Sequence, residues 1–420
     1  MIKTITLFPG ITLRCFRDQR FKQAALSLQF VRAMDRQEAA YNALLPAVLL
    51  RGSRDHSDIR SITNRLDELY GASVGTAVRR VGDYQTTGFF CGFMEDRFAL
   101  DGDAILEPMV EFVRELLLEP ALEDGVFRKD FVEGEKKNLM ATIDSERNDK
   151  RVYANNQMLR LLCRADSFGI PRLGEKEDVA AITPAALYRH YEKVLRESRV
   201  DIFYVGAGEP ETVAAAVKKL FAGLDRRPAA LPAQTGFRDG GKETVTEQME
   251  VAQGKLSMGF VTPITIRDEG FVAMQLLNLI FGAGMTSKLF MNVREKQSLC
   301  YDIGSGYHGA KGLLTVFAGI DSANEERTRR EILAQLEACR CGDITAEELA
   351  SAKQAMISSL RATHDSPGAI EGFYATAALS GLKLMPDAYM AAVEAVTAEQ
   401  VAEAARSVEL HTVYFLKGVQ

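Results

Sequence analysis

The sequence predicts an α+β protein made of two homologous domains, and three observations support this. Two strand-like hexapeptides, 26–31 (LSLQFV) and 256–261 (LSMGFV), share their pattern of residue types at an offset of 230. Strands and amphipathic helices follow one another irregularly in each half, and a stretch containing proline and glycine lies between the halves. A chain of 420 residues is long enough for two such domains.

The repeat continues beyond the hexapeptides, in the same order along both halves. A helical stretch that ends at Gly52 matches one that ends at Gly282, with glycine where a helix C-cap is expected. Further on, Thr183 and Thr397 each stand where a helix should begin, and each helix leads into an apolar strand. The shared order indicates a duplicated domain.

The joint between the halves is predicted at residues 223–242 (GLDRRPAALPAQTGFRDGGK). Prolines and glycines interrupt any hydrophobic periodicity there, which is typical of a linker. The sequence therefore predicts an N-terminal domain at 1–222, a linker at 223–242 and a C-terminal domain at 243–420. We expect limited proteolysis to cut first in this linker.

Within each half the strands and helices do not alternate as in parallel α/β proteins. A strand at 86–93 precedes long amphipathic helices around 103–118 and 124–148. No strand is followed by a glycine-rich phosphate loop, which argues against Rossmann and P-loop proteins. The pattern favours the α+β class.

Charge and hydropathy argue against two classes of partner. The 51 Lys and Arg residues against 57 Asp and Glu residues give a net charge of −6, which leaves no global basic field for nucleic acid. The longest notable apolar run, 43–50, is too short to span a bilayer and contains Pro46. The N-terminal residues lack the apolar core of a signal peptide, so we expect a cytoplasmic protein that binds neither nucleic acid nor membrane.

Cysteines and histidines form no local metal motif. The six cysteines include no CxxC pair, which is typical of reduced thiols packed as small hydrophobic residues. No two of the five histidines lie within one helical turn of each other. A local nucleophile motif such as GxSxG is also absent.

The most distinctive stretch is 281–301 (FGAGMTSKLFMNVREKQSLCY). It resembles the C-terminal homologous domain of the M16 family of zinc peptidases, which includes pitrilysin, insulin-degrading enzyme and the mitochondrial processing peptidase. The shared pattern is a Gly-rich turn, a small-Ser-basic-Leu-Phe helix start, and Arg-Glu-Lys followed by Leu-small-Tyr. The resemblance implies two LuxS/MPP-like metallohydrolase-type domains, each a mainly antiparallel sheet with helices packed on it, forming a clamshell around a peptide-binding chamber.

Active members of this family carry an inverted zinc motif, His-x-x-Glu-His, on a helix that ends in a basic residue and glycine. The equivalent helix here ends in Arg51 and Gly52, which puts Ala43 and Ala47 at the histidine positions and Pro46 at the glutamate position. A methyl group cannot bind zinc, and proline has no carboxylate to accept a proton from water. The resemblance therefore implies no metal, no cofactor and no catalytic residue in the isolated chain.

The family's third zinc ligand is a glutamate on a later helix, and residues 131–139 (FVEGEKKNL) resemble that segment. Glu133 is the first choice for the equivalent residue and Glu135 the second. Because one carboxylate without histidine partners does not hold zinc at useful affinity, we expect a solvated helix face here.

Family members also use an arginine and a tyrosine, seven residues apart in the C-terminal domain, to bind the scissile peptide. Arg294 and Tyr301 match this pair in type and spacing. A guanidinium and a phenol O–H are suitable donors to the charge that develops on a peptide carbonyl oxygen. The alternative is that Arg294 forms a salt bridge and Tyr301 packs at a strand edge.

The resemblance implies a catalytically incomplete subunit that binds peptide and pairs with a homologous chain bearing the intact zinc motif. In such a pair this chain would be the non-catalytic subunit of a heteromeric metalloendopeptidase. The main alternative is a non-enzymatic scaffold or peptide-binding protein that acts as a homodimer. An unrelated hydrolase is a third alternative.

Overall fold

A computed structural model gives the structure of the chain and describes residues 2–418. The chain forms two compact units. The first contains the described residues up to Ile143 together with Ile170–Ala233 and Thr363–Thr376. The second contains Asp144–Gly169, Gln234–Ala362 and the described residues from Ala377 onward. Within residues 2–418, no helix combines the length and the apolar character needed to cross a membrane.

Strands and helices mix in both halves. The strands are β1 Ile2–Phe8, β2 Ile11–Arg17, β3 Gln23–Ala33, β4 Ser73–Val81, β5 Tyr84–Met94, β6 Leu122–Glu123, β7 Val126–Phe127, β8 Arg199–Gly206, β9 Glu243–Met249, β10 Gly254–Val261, β11 Cys300–His308, β12 Leu313–Ile320 and β13 Glu409–Gly418. The α-helices are α1 Ala39–Leu49, α2 Ile59–Glu68, α3 Leu106–Leu118, α4 Lys129–Asn148, α5 Lys150–Leu162, α6 Lys176–Ala181, α7 Pro184–Glu197, α8 Pro210–Lys218, α9 Phe271–Asn278, α10 Glu325–Arg340, α11 Ala346–Ala362, α12 Pro367–Ser380, α13 Pro386–Ala395 and α14 Ala398–Arg406. Two π-helical segments, Leu279–Ala283 and Leu289–Lys296, follow α9.

The two large sheets share the same topology over five strands, and the first has β1 as an additional edge strand. The first has the order β1-β2-β8-β3-β5-β4, and the second has the order β9-β13-β10-β12-β11. In each sheet one pair is parallel, β2 with β8 and β9 with β13, and the other pairs are antiparallel. The repeated hexapeptides lie in β3 and β10, which occupy equivalent places in the two sheets. The predicted α+β class with mainly antiparallel sheets is therefore confirmed.

The predicted helix starts are also seen. The Thr183 hydroxyl accepts a hydrogen bond from the backbone N–H of Ala186 at the start of α7. The Thr397 hydroxyl accepts one from the N–H of Gln400 at the start of α14. Both are N-caps that satisfy a backbone donor with no partner inside the helix.

Each unit contains a helix from the other half of the sequence. In the second unit, α5 packs in an apolar cluster with β12 and β13, where Met158 and Leu162 meet Leu313 and Tyr414. The first unit includes most of α12, a helix from the second half of the sequence. The compact units therefore differ from the sequence halves 1–222 and 243–420, and those boundaries stay a prediction about the order of the repeats.

The connecting segment 223–242 lacks regular secondary structure up to Lys242, but its residues are held by specific bonds. In the first unit, the Arg226 guanidinium donates to the carbonyls of Leu195 and Ser198. In the second unit, the Asp166 carboxylate accepts from the backbone N–H of Arg238, and Asp239 pairs with His411 at 2.8 Å. The connector, called the strap below, is thus held in place by hydrogen bonds and ion pairs. It is therefore no longer the segment that we expect a protease to cut first.

We expect trypsin not to cut first in this strap, because cleavage requires a segment of about ten residues to leave its partners. The Arg226→Ala variant should be cut faster at Arg227 than the wild type, since it loses both carbonyl contacts of Arg226. Mass spectrometry of the first fragments measures this. A first cut within 226–242 in the wild type would contradict the account.

Gly88 occupies a position in β5 that has no room for a side chain. A Cβ atom there would lie 1.9 Å from the carbonyl oxygen of Leu28 on β3. We expect Gly88→Ala to lower the free energy of unfolding by about 2–3 kcal/mol through overpacking. Gly75→Ala on the neighbouring β4 is the matched control, because an added Cβ meets no atom within 4 Å. Urea unfolding of both variants checks this, and equal stabilities would refute the steric argument.

Five of the six cysteines are buried, and all six are free thiols. Burial raises the pKa of the Cys91 thiol to about 12. Such a thiol stays protonated near neutral pH and packs as a small hydrophobic residue, as predicted.

Candidate functional site

The helix at the zinc-motif positions is α1, and its side chains do not fit a zinc ion. Ala43 and Pro46 are buried, and Ala47 is half-buried. Because Pro46 has no N–H, the carbonyl of Asn42 lacks its usual helical donor. The hydroxyl of Thr87 on β5 donates to that carbonyl instead, at 2.6 Å, and the helix continues to Leu49.

The buried side of α1 is held by a neutral hydrogen-bond network. The Asn42 side chain donates to the Gln85 amide oxygen and accepts from His190 Nε2, both at 2.8 Å. The Gln85 amide in turn donates to the carbonyl of Ala39 at 3.1 Å. Burial lowers the pKa of His190 to about 4, so its ring is neutral near pH 7. No local sequence signal predicted this network, because its members are far apart in the chain.

His190 should make stability depend on pH. An exposed histidine has a pKa of about 6.5. On acidification the unfolded chain therefore binds a proton at a pH at which His190 in the folded chain is still neutral. The stabilisation is complete above about pH 6.5 and is lost as the pH falls towards 4, by up to about 3 kcal/mol. His190→Gln lacks this titration and should show a shallower fall in the free energy of unfolding. Equal pH profiles for the two proteins would refute the assignment.

The two candidate glutamates on α4 point to different partners. Glu133 is 45% exposed and lies 3.0 Å from the Lys136 ammonium group. Glu135 is 12% exposed and lies 3.2 Å from the Arg51 guanidinium, at the end of the stripe formed by Ala43 and Ala47. The structure therefore brings Glu135, the second choice, next to Arg51 just after α1, whereas Glu133 pairs with Lys136 on its own helix.

The candidate glutamates could form a metal site only together with further acidic, histidine or cysteine side chains. Across residues 2–418, no group of three or more such side chains is placed to hold a metal ion. The absence of zinc from this chain stays a prediction.

Arg294 and Tyr301 lie together on the second unit. Arg294 Nε donates to the backbone carbonyl of Tyr301 at 3.0 Å, and Nη1 lies 3.1 Å from the Glu295 carboxylate. The side chain of Arg294 is 38% exposed, and Tyr301 is 62% exposed. Neither side chain enters the apolar core. Arg294 thus contacts Tyr301 through the backbone carbonyl, a bond that the sequence did not predict. The phenol of Tyr301 stays at the surface.

The local backbone explains why these two residues meet. The π-helical segment Leu289–Lys296 is closed by a turn in which the N–H groups of Ser298 and Leu299 donate to the carbonyls of Arg294 and Val293. The pairing of β11 with β12 then shifts register between Cys300 and Asp302, so Tyr301 bulges out of the ladder. Short π-helical turns and bulges of this kind are frequent at functional sites.

The first unit has an open groove beside the edge strand β4. The groove is lined by β4, Phe90 and the α12 residues Gly368, Glu371 and Gly372. The Glu371 carboxylate is buried and accepts two bonds from the Arg79 guanidinium, at 2.9 and 2.8 Å. Ser27 and Gln29 each donate to it at 2.7 Å. These bonds fix α12 against the sheet.

Comparisons with known proteins find relatives of the chain by family model, by sequence and by structure. Residues 181–356 match the family model of the peptidase M16 inactive domain. The chain is 30% identical over 411 residues to YmfF of Bacillus subtilis, a probable inactive metalloprotease, and the alignment covers 98% of this chain and 96% of that protein. It is 26% identical over 248 residues to YmxG of the same organism, an uncharacterized zinc protease, covering 57% of this chain and 59% of that protein. The crystal structure of a conserved protein from Enterococcus faecalis superposes with a TM-score of 0.92 at 29% identity, covering 100% of this chain and 99% of that chain.

Proposed function

This chain belongs to the M16 peptidase family as an inactive homologue, and on that premise we propose that it binds peptide and completes the active site of a homologous zinc-bearing partner. The Arg294–Tyr301 pair carries the proposal, because the two residues match the family's peptide-binding pair in type and spacing and lie together at the surface. The zinc-motif positions hold Ala43, Pro46 and Ala47 and offer no ligand.

The occurrence of two relatives in one organism supports a partner from the same family. Bacillus subtilis has both an inactive relative and a zinc-protease relative of this chain. The zinc ion would be held by the partner chain, where it would polarise the peptide carbonyl and activate water. Arg294 and Tyr301 would donate hydrogen bonds to the same carbonyl oxygen as charge grows on it.

The edge strand β4 of the first sheet supports peptide binding, although its Val78 carbonyl already accepts a hydrogen bond from Arg172 at 3.1 Å. No strand among residues 2–418 pairs with the outer edge of β4. An unpaired edge offers backbone N–H and C=O groups to which an extended peptide can add as a further strand. Cβ atoms added at Gly75 and Gly372 of the groove would meet nothing within 4 Å, so a peptide has room there.

Co-purification under native conditions tests the proposal. We expect a tagged copy of the chain, expressed in its own cells, to bring down a homologous chain with an intact His-x-x-Glu-His motif. The isolated chain should contain no zinc, and the complex should contain one zinc ion per pair by elemental analysis. Recovery of the chain only with itself, without zinc, would overturn the proposal and favour the homodimeric scaffold.

A further inference from the structure

The Arg294 guanidinium lies over an aromatic ring. Its central carbon lies 4.7 Å from the centroid of the Phe290 ring, four residues earlier in the same helical segment. Guanidinium groups stack favourably on aromatic faces within about 6 Å of the ring centroid. The stack adds to the contacts with the Tyr301 carbonyl and the Glu295 carboxylate.

Phe290 is itself firmly placed although it is not a core residue. Its neighbours Leu289 and Val293 are fully buried and anchor the inner side of the segment. Its backbone N–H donates to the Ser287 hydroxyl at 3.3 Å. The ring is half-buried, so its outer part and the guanidinium share the surface of the segment.

These contacts leave one end of the guanidinium available. Nε is bonded to the Tyr301 carbonyl and Nη1 faces Glu295, whereas no acceptor among residues 2–418 takes a hydrogen bond from Nη2. A free arginine side chain loses considerable rotamer entropy when it is fixed by a ligand. A guanidinium already fixed by stacking loses less, so its remaining donors bind more effectively.

We infer that Phe290 is a positioning residue that holds Arg294 with Nη2 directed to the peptide carbonyl. This inference rests on the proposed function, in which Arg294 acts on the substrate of the partner. Phe290 itself donates nothing to the substrate and acts only through Arg294. Lysine at position 294 should not replace arginine, because an ammonium group cannot bond the Tyr301 carbonyl and present a second planar donor at once.

Steady-state kinetics of the purified complex test this, with an internally quenched fluorogenic peptide that the wild-type complex cleaves. Phe290→Leu should lower kcat about two- to fivefold with KM unchanged, the effect of losing one exposed stack. Phe290→Tyr keeps the aromatic face and should restore kcat. Met291→Ala is the matched control, because Met291 is an exposed neighbour in the same segment and should have no effect.

The double variant Phe290→Leu/Arg294→Ala separates positioning from folding. If Phe290 acts through Arg294, the double variant should be no slower than Arg294→Ala alone. A further two- to fivefold loss in the double variant would overturn the inference, because Phe290 would then act independently of Arg294.

A second measurement uses the isolated chain and does not depend on the partner. The rate at which phenylglyoxal modifies Arg294, followed by mass spectrometry, should rise in Phe290→Leu because the guanidinium becomes mobile. An unchanged rate would overturn the positioning role. Unchanged turnover in Arg294→Ala would instead overturn the proposed function, so the two failures are distinguishable.

Discussion

Replacing Arg294 by alanine should lower kcat of the reconstituted complex by about a hundredfold to a thousandfold. This is the range for removal of one preorganised donor to a developing oxyanion, and the Arg294 guanidinium is fixed by its contacts before substrate arrives. The interaction is stronger in the transition state than with bound peptide, so KM should change little. Fluorogenic peptide cleavage by the complex measures both constants.

The control for this variant is Lys296→Ala. Lys296 is an exposed cation in the same helical segment, and it bonds only the Asn292 side chain among residues 2–418. It should leave kcat unchanged, and both variants should assemble with the partner as judged by size-exclusion chromatography. If Arg294→Ala assembles and turns over at the wild-type rate, the pair has no catalytic role and the scaffold alternative gains support.

Replacing Glu371 by alanine should lower the free energy of unfolding by about 3–5 kcal/mol. The carboxylate is buried and accepts bonds from Arg79, Ser27 and Gln29. Its removal leaves a partly buried guanidinium uncompensated and takes one acceptor from each of two buried donors, Ser27 and Gln29, which is far more costly than losing an exposed pair. Urea unfolding gives the measurement.

Two comparisons make the Glu371 prediction specific. Glu399→Ala removes an exposed carboxylate that lies 2.8 Å from Arg406, and it should change stability by less than about 1 kcal/mol. The double replacement Arg79→Leu/Glu371→Leu should recover much of the loss, because it removes both charges together. A loss below about 1 kcal/mol in Glu371→Ala would show that this network does not secure α12.

The duplicated fold was predictable because its signals are local. The alternating hexapeptides became β3 and β10, and Thr183 and Thr397 became helix caps, since each depends on a few neighbouring residues. The exchange of α5 and α12 was not predictable. An amphipathic pattern shows that a helix has an apolar face but not which sheet that face covers.

The candidate site likewise has parts that local sequence predicts and parts that depend on distant residues. Arg294 and Tyr301 are seven residues apart within one motif, and the structure brings them together. The sequence did not show which of Glu133 and Glu135 lies beside Arg51; in the structure it is Glu135, and the two residues project from different sides of α4. The networks around His190 and Glu371 join residues from distant parts of the chain, each of a type common on protein surfaces.

The most direct test of the account compares three samples on one fluorogenic peptide: this chain alone, its co-purified partner alone, and an equimolar mixture. The account predicts that only the mixture cleaves at the full rate, because the partner supplies the zinc ion and this chain supplies Arg294 and Tyr301. Cleavage by the partner alone at the rate of the mixture, or cleavage by this chain alone, would contradict it.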